Sequence, residues 1–180
     1  MKKTIFIALI VLSNFIFAQE NNWQEFSKEK IITVNINKTG IYKVQNYSLD
    51  VVWDENLSYS ENIGYYGGIK KMTIHKDNRE IQVIENIEDN VTLGTINFNF
   101  YDYNLDGYLD FTLPINSRWL MYFIFNPQST EFEHRENWDY LSIQKIDKKN
   151  KMILSQPDGN AIEDNRKKYK IKGLDIVETK

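Results

Sequence analysis

From residue 31 onward, apolar and polar positions alternate with a period of two. In IITVNIN, Ile32, Val34 and Ile36 share one face while Thr33, Asn35 and Asn37 take the other, the pattern of a half-buried strand. Lys38 to Gly40 turn the chain into IYKVQNY, and the two runs together predict a hairpin. A second hairpin is predicted where IKKMTIH and EIQVIEN flank the turn residues Lys76 to Arg79. Ile96, Phe98 and Phe100 line one face of INFNF, with Asn97 and Asn99 looking out. YLDFTL and WLMYFIF continue as strands, and Asn126 to Gln128 turn the latter into EFEH. KMILS, a turn at Pro157 to Asn160, KYKIK and LDIVE about Gly173 complete the series.

No stretch of ten or more residues carries a period of 3.6, and the single helical candidate is short, around Trp138 to Ile143. Roughly ten short strands separated by turn residues predict an all-β domain of antiparallel sheets, in a partial propeller-like or a sandwich arrangement. No sequence repeat of about 40 to 50 residues marks a complete propeller. Trp119, Tyr122, Phe123 and Phe125 fall on both faces of one strand, which is therefore buried on both sides or offers one side to a partner. Tyr65, Tyr66, Gly67 and Gly68 form an aromatic turn that is either structural or able to stack on a ligand.

The first eighteen residues read differently. Lys2 and Lys3 precede an apolar run from Ile5 to Phe17, and Ala18 supplies a small residue for cleavage, the layout of a secretory signal peptide. The run is shorter than the roughly 20 residues a spanning helix needs. Residues 1–18 are thus expected to be a signal peptide, 19–30 a flexible lead-in with Trp23 and Phe26, and 31–180 a single calcium-binding domain. The expected address is periplasmic or secreted. The chain has no cysteine, so neither a lipid-modified cysteine nor disulfides are available.

Without Lys2 and Lys3, the 22 basic residues fall to 20 against 25 acidic ones, a formal charge of −5. That balance argues against nucleic acid as a partner. Lys145 to Lys151 and Arg166 to Lys172 read as solvated basic faces. Of the two histidines, His75 lies on the polar face of its strand and His134 in the charged stretch EFEHRE. With no cysteine and no GxSxG, a histidine-supported nucleophile has little to build on, so a non-enzyme is expected. A carboxylate pair brought together by the fold is the enzymatic alternative.

The stretch DYNLDGYLD carries the candidate chemistry. It sets Asp102, Asn104, Asp106 and Asp110 at positions 1, 3, 5 and 9 of a loop, with Gly107 at position 6 and the Tyr108 carbonyl at position 7. Alternate residues of a tight loop can aim oxygens at one centre, and an all-oxygen set suits Ca²⁺. An Asx-rich surface turn uses the same residue types and is the competing reading. Position 12 is Leu113 rather than glutamate and the flanks are strand-like, so the loop joins β-strands instead of the helices of an EF-hand.

YDYNLDGYLDF, followed by WLMYFIFNPQSTEF, KMILSQPDGNA and KYKIKGL, resembles the calcium loops of FG-GAP and integrin-type repeats. It is closer still to a family of exported bacterial β-proteins with a single DxNxDGxxD loop. That resemblance spans about residues 95 to 175 and implies a propeller-like fold with calcium held by Asp102, Asn104, Asp106, Tyr108 and Asp110. The family includes periplasmic immunity proteins that inhibit lysozyme-like effectors of type IV secretion systems. The implied role is therefore binding and inhibition of a peptidoglycan hydrolase. The alternative is a calcium-dependent carbohydrate or cell-wall binding module.

Overall fold

The alternating runs become strands, but their partners are chosen over long distances. The computed structural model describes residues 22–91, 94–156 and 165–179. Its strands in chain order are β1 (Gln24–Glu25), β2 (Ile32–Ile36), β3 (Gly40–Val44), β4 (Tyr47–Asp54), β5 (Tyr59–Ser60) and β6 (Gly64–Tyr65). There follow β7 (Gly68–Lys76), β8 (Arg79–Glu88), β9 (Ile96–Tyr101), β10 (Asp110–Pro114) and β11 (Leu120–Asn126). The last are β12 (Glu131–His134), β13 (Ile143–Asp147), β14 (Met152–Ser155), β15 (Lys167–Lys172) and β16 (Asp175–Thr179). The expected signal peptide and the turn at Pro157 to Asn160 lie outside the described residues.

All pairings are antiparallel and make four sheets: a front sheet in the order β3-β4-β7-β8, a middle sheet β12-β11-β10-β9-β2, a back sheet β1-β13-β14-β15-β16, and the small hairpin β5-β6. The all-β class is as expected. The propeller-like and sandwich arrangements are not: among the described residues no sheet is closed or curled into a propeller, and two separate cores replace the one a two-sheet sandwich would have. Leu49, Val51, Met72 and Ile74 of the front sheet meet Phe98, Phe100, Phe111 and Phe125 of the middle sheet in one core. Tyr122 and Ile124, on the opposite face of β11, pack with Trp138, Ile146, Ile153 and Ile171 in the other. The aromatic strand is therefore buried on both sides, because alternate residues of one strand serve two different cores.

The expected hairpin across Lys38 to Gly40 does not form. β2 pairs with β9 and β3 with β4, so the chain passes from the middle sheet to the front sheet at this turn. Local turn chemistry is right here, but each strand follows the face that buries its alternate residues. The predicted β7-β8 hairpin does form, with Lys76 opposite Arg79. Asp77 and Asn78 sit at φ 52 and 64°, the left-handed pair that a two-residue turn needs to match strand twist. The helical candidate reduces to a three-residue 3-10 turn at Glu136–Trp138, and Ile143 already begins β13. Within residues 19–30, Gln24–Glu25 pairs with β13, and Phe26 stands edge-on to Tyr101 with ring centres 5.3 Å apart.

The aromatic turn expected at Tyr65 to Gly68 is a close approach of backbone to ring. Gly67 has φ 88°, and a Cβ there would lie 2.6 Å from the Trp53 indole nitrogen. Both the left-handed backbone and the missing side chain are required. Gly67→Ala is expected to cost about 3 kcal/mol in urea unfolding, from strain plus overpacking.

Candidate metal centre

The loop joins β9 to β10, and its first and last acids sit at the strand ends. Asp102 follows Tyr101, the last residue of β9, while Asp110 opens β10 opposite Tyr101. Leu105 and Gly107 take φ 57 and 95°, which folds the segment back on itself within nine residues. A non-glycine residue at positive φ is uncommon and is tolerated where the surrounding bonds over-determine it.

Those bonds come mostly from the acids. The Asp102 carboxylate accepts from the Asp106 and Gly107 amides at 2.9 Å each. Asp106 accepts from the Tyr108 amide at 2.9 Å and from the Asn104 side-chain amide, also at 2.9 Å. Asp110 is fully buried. One of its oxygens accepts from the Tyr103 and Asn104 amides at 2.7 and 3.3 Å, the other from Phe125 of β11 at 2.9 Å. Asn104, 1 % exposed, also donates to the Gly173 carbonyl at 3.4 Å in the β15-β16 turn.

All five predicted positions lie in this one loop, where Asp102, Asp106 and Asp110 each accept from backbone amides. Among the described residues no three His, Cys, Asp or Glu side chains are grouped as a metal site. The carboxylates accept from the loop's own amides, and the Asn104 side-chain amide donates to Asp106. Each ionised carboxylate still has lone pairs to spare beyond these bonds.

Electrostatically the loop is short of positive charge. Burial raises the Asp102 carboxyl above its ordinary range, against the lowering effect of the Gly107 and Asp106 amides, and the Asp106 charge adds to the rise. Burial drives Asp110 well above the ordinary range in the same way, with backbone amides opposing and Asp106 again adding. No lysine or arginine forms an ion pair with Asp102, Asp106 or Asp110 among the described residues. Lys76 reaches the loop over its rings: its ammonium lies 4.1 Å from the Phe125 ring centre, 4.6 Å from Tyr108 and 5.4 Å from Tyr47. Tyr47 is 3 % exposed, its hydroxyl has no hydrogen-bond partner, and the Asp110 and Asp106 charges add to the rise that burial gives its phenol.

Sequence reasoning missed this aromatic surround because Tyr47, Lys76 and Phe125 come from three distant strands. Two further aromatic pairs reach the surface, and Tyr65 of the first belongs to the aromatic turn that the sequence marked. Tyr59 and Tyr65 face each other across the β5-β6 hairpin with ring centres 5.1 Å apart, and Ile63 in its turn is also exposed. Trp119 and Tyr140 meet at 6.0 Å, with the Arg118 guanidinium 4.8 Å from the Trp119 ring centre. Tyr140 is 55 % exposed and sits at φ 65°, a costly conformation for a bulky residue. His134 is a surface residue as expected, and it also stacks on Phe123 and bonds to Asp139 at 2.8 Å. Asp139 in turn accepts from the Tyr122 amide, so the pair anchors β12 to the 3-10 turn. No helix among the described residues is long and apolar enough to cross a membrane. No protein-family model, curated protein or solved structure matches the chain.

Proposed function

We propose that this is an exported calcium-binding β-protein that acts by binding another protein, with a peptidoglycan hydrolase as the partner it inhibits. The observation that carries the calcium reading is the triple of carboxylates, Asp102, Asp106 and Asp110, within nine residues and without a cationic side chain paired to any of them. The orphaned Tyr47 hydroxyl beside them supports it. Asp102, Asn104, Asp106 and Asp110 would hold the ion with the Tyr108 carbonyl. Asn104 would ligate through its Oδ1, so the 3.2 Å hydrogen bond that this oxygen accepts from the Asp106 amide is the contact that must yield. Binding through a surface is supported by the exposed Tyr59 and Tyr65 pair, with Ile63 exposed in the same hairpin, apolar surface of the kind partners cover.

At an extracellular-type Kd of about 10⁻⁴ M and about 1 mM free Ca²⁺, linkage stabilises the fold by about 1.4 kcal/mol. The melting temperature is expected to rise by about 3 to 6 °C when calcium replaces chelator. Asp106→Ala removes that response, because Asp106 is exposed and its loss leaves the buried Asp110 network intact. A wild-type melt indifferent to calcium overturns the metal reading. Absence of complex formation and of inhibition with lysozymes of several classes overturns the hydrolase reading.

Carbohydrate binding is the second reading, favoured by the Trp119 and Tyr140 rings with Arg118 at their edge. It predicts a calcium-dependent signal on a glycan array that is lost in Trp119→Ala.

A further inference from the structure

We infer that the outer edge of β8 and the groove beside it form a docking site for an extended cationic segment of a partner protein, added as a fifth strand to the front sheet. This deepens the binding reading above and rests on it. β8 spans Arg79–Glu88, pairs with β7 on one side, and ends the front sheet on the other. Unpaired edges are ready templates for strand addition, and proteins commonly blunt them with lysine, proline or a covering element.

This edge is blunted at two points: by a clip over its first half, and by Asn86, whose φ of 57° interrupts the pairing with β7 between Glu85 and Ile87. The Gln82 side-chain amide donates to the Phe132 carbonyl and accepts from the Phe132 amide, both at 2.9 Å. It thereby clips the first half of β8 to β12 in the way a short strand would. Beyond the clip a groove of about 350 Å³ opens between β8 and the middle sheet. Its floor is apolar, made by Ile84 and Ile87 of β8 with Ile96, Leu113, Met121 and Phe123 of the middle sheet. Alternate side chains of an incoming strand can enter such a floor while its backbone completes the ladder.

Charge selects the occupant. Glu85 and Glu88 line the groove, and Glu80 precedes them on the same strand. All three are exposed, and none has an ion-pair partner among the described residues. An acidic edge repels a second copy of itself, since like charges on adjacent strands are destabilising. The same row of carboxylates attracts a strand whose outward positions are lysine or arginine.

The test uses the full chain with three acetylated octapeptides: alternating Lys and Val, alternating Glu and Val, and the Lys-Val sequence N-methylated at each Val. Saturable binding of the Lys-Val peptide is expected, with slowed hydrogen exchange at β8 amides. Glu85→Lys with Glu88→Lys should weaken it by at least about tenfold, because each reversal replaces attraction by repulsion. These are exposed positions, and an unchanged melting temperature checks that the variant is folded. No saturable binding, equal binding of the Glu-Val peptide, or equal binding of the N-methylated peptide overturns the inference. Peptide binding without inhibition of any lysozyme supports the groove and removes the hydrolase reading. Inhibition of a lysozyme that is unaffected by the double reversal, with no peptide binding, removes the groove alone.

Discussion

Asp110→Ala is expected to destabilise the fold by about 4 kcal/mol, the balance of buried amides left without acceptors and a buried charge removed. The Tyr103, Asn104 and Phe125 amides all end on this carboxylate. Losing it strands donors on both sides of the β9-β10 turn and on β11. Relief of the desolvated charge offsets part of that cost and keeps the figure below the sum of three lost bonds. Asp110→Asn should cost about half as much, since the amide oxygen keeps one side of the network and its NH₂ cannot accept on the other. Urea unfolding of both variants checks the order; an alanine variant as stable as wild type would mean that the network does not hold the loop.

The same carboxyl sets an unusual pH dependence in chelator. The folded-state values of Asp102 and Asp110 are raised above the ordinary carboxylate value. The native state therefore holds protons that the unfolded chain has already released. Stability falls as pH climbs from the unfolded carboxylate value, about 4, up to the raised native values, and then levels off. This is opposite in sign to a salt-bridged aspartate. Calcium favours the ionised forms, so the fall should be shallower at saturating metal. Melting temperature followed across that pH range, with and without calcium, measures both slopes.

The second large effect is expected at Trp138, which is fully buried between the middle and back sheets. Trp138→Ala should cost about 4 kcal/mol, in the range for deleting a buried aromatic. Its ring meets Tyr122 at 5.8 Å, and its indole N–H donates to the Leu174 carbonyl at 2.9 Å. Trp138→Phe keeps most of the packing and loses that bond, so about 1.5 kcal/mol is expected. Equal losses for the two variants in chemical denaturation would place the energy in the hydrogen bond instead of in the ring.

Legibility in the sequence followed the range of the interactions. Period two located nearly every long strand, and the Asp77-Asn78 turn was readable because a two-residue left-handed turn demands those residue types. The β2-β3 hairpin misled because KTG is a good turn whichever sheet receives the next strand. Likewise Trp138 to Ile143 has helical spacing over too few residues for spacing to decide. The loop's spacing is legible because its pattern is local. Its bonding is not, since the Asn104 side chain also reaches the Gly173 carbonyl of the β15-β16 turn, 69 residues away. Lys76 over Tyr47, Tyr108 and Phe125 leaves no local trace either.

The loop touches each large sheet through a different residue: Phe125 of the middle sheet through Asp110, the back sheet's β15-β16 turn through Asn104, and Lys76 of the front sheet through Tyr108. Three layers that share no common hairpin are thus pinned at one corner. A change in that corner, whether a proton, an ion or a substitution, has no single sheet in which to dissipate. The outer layers should report it to each other, so that the lead-in packed on the back sheet and the open edge of β8 respond together although they lie in different layers.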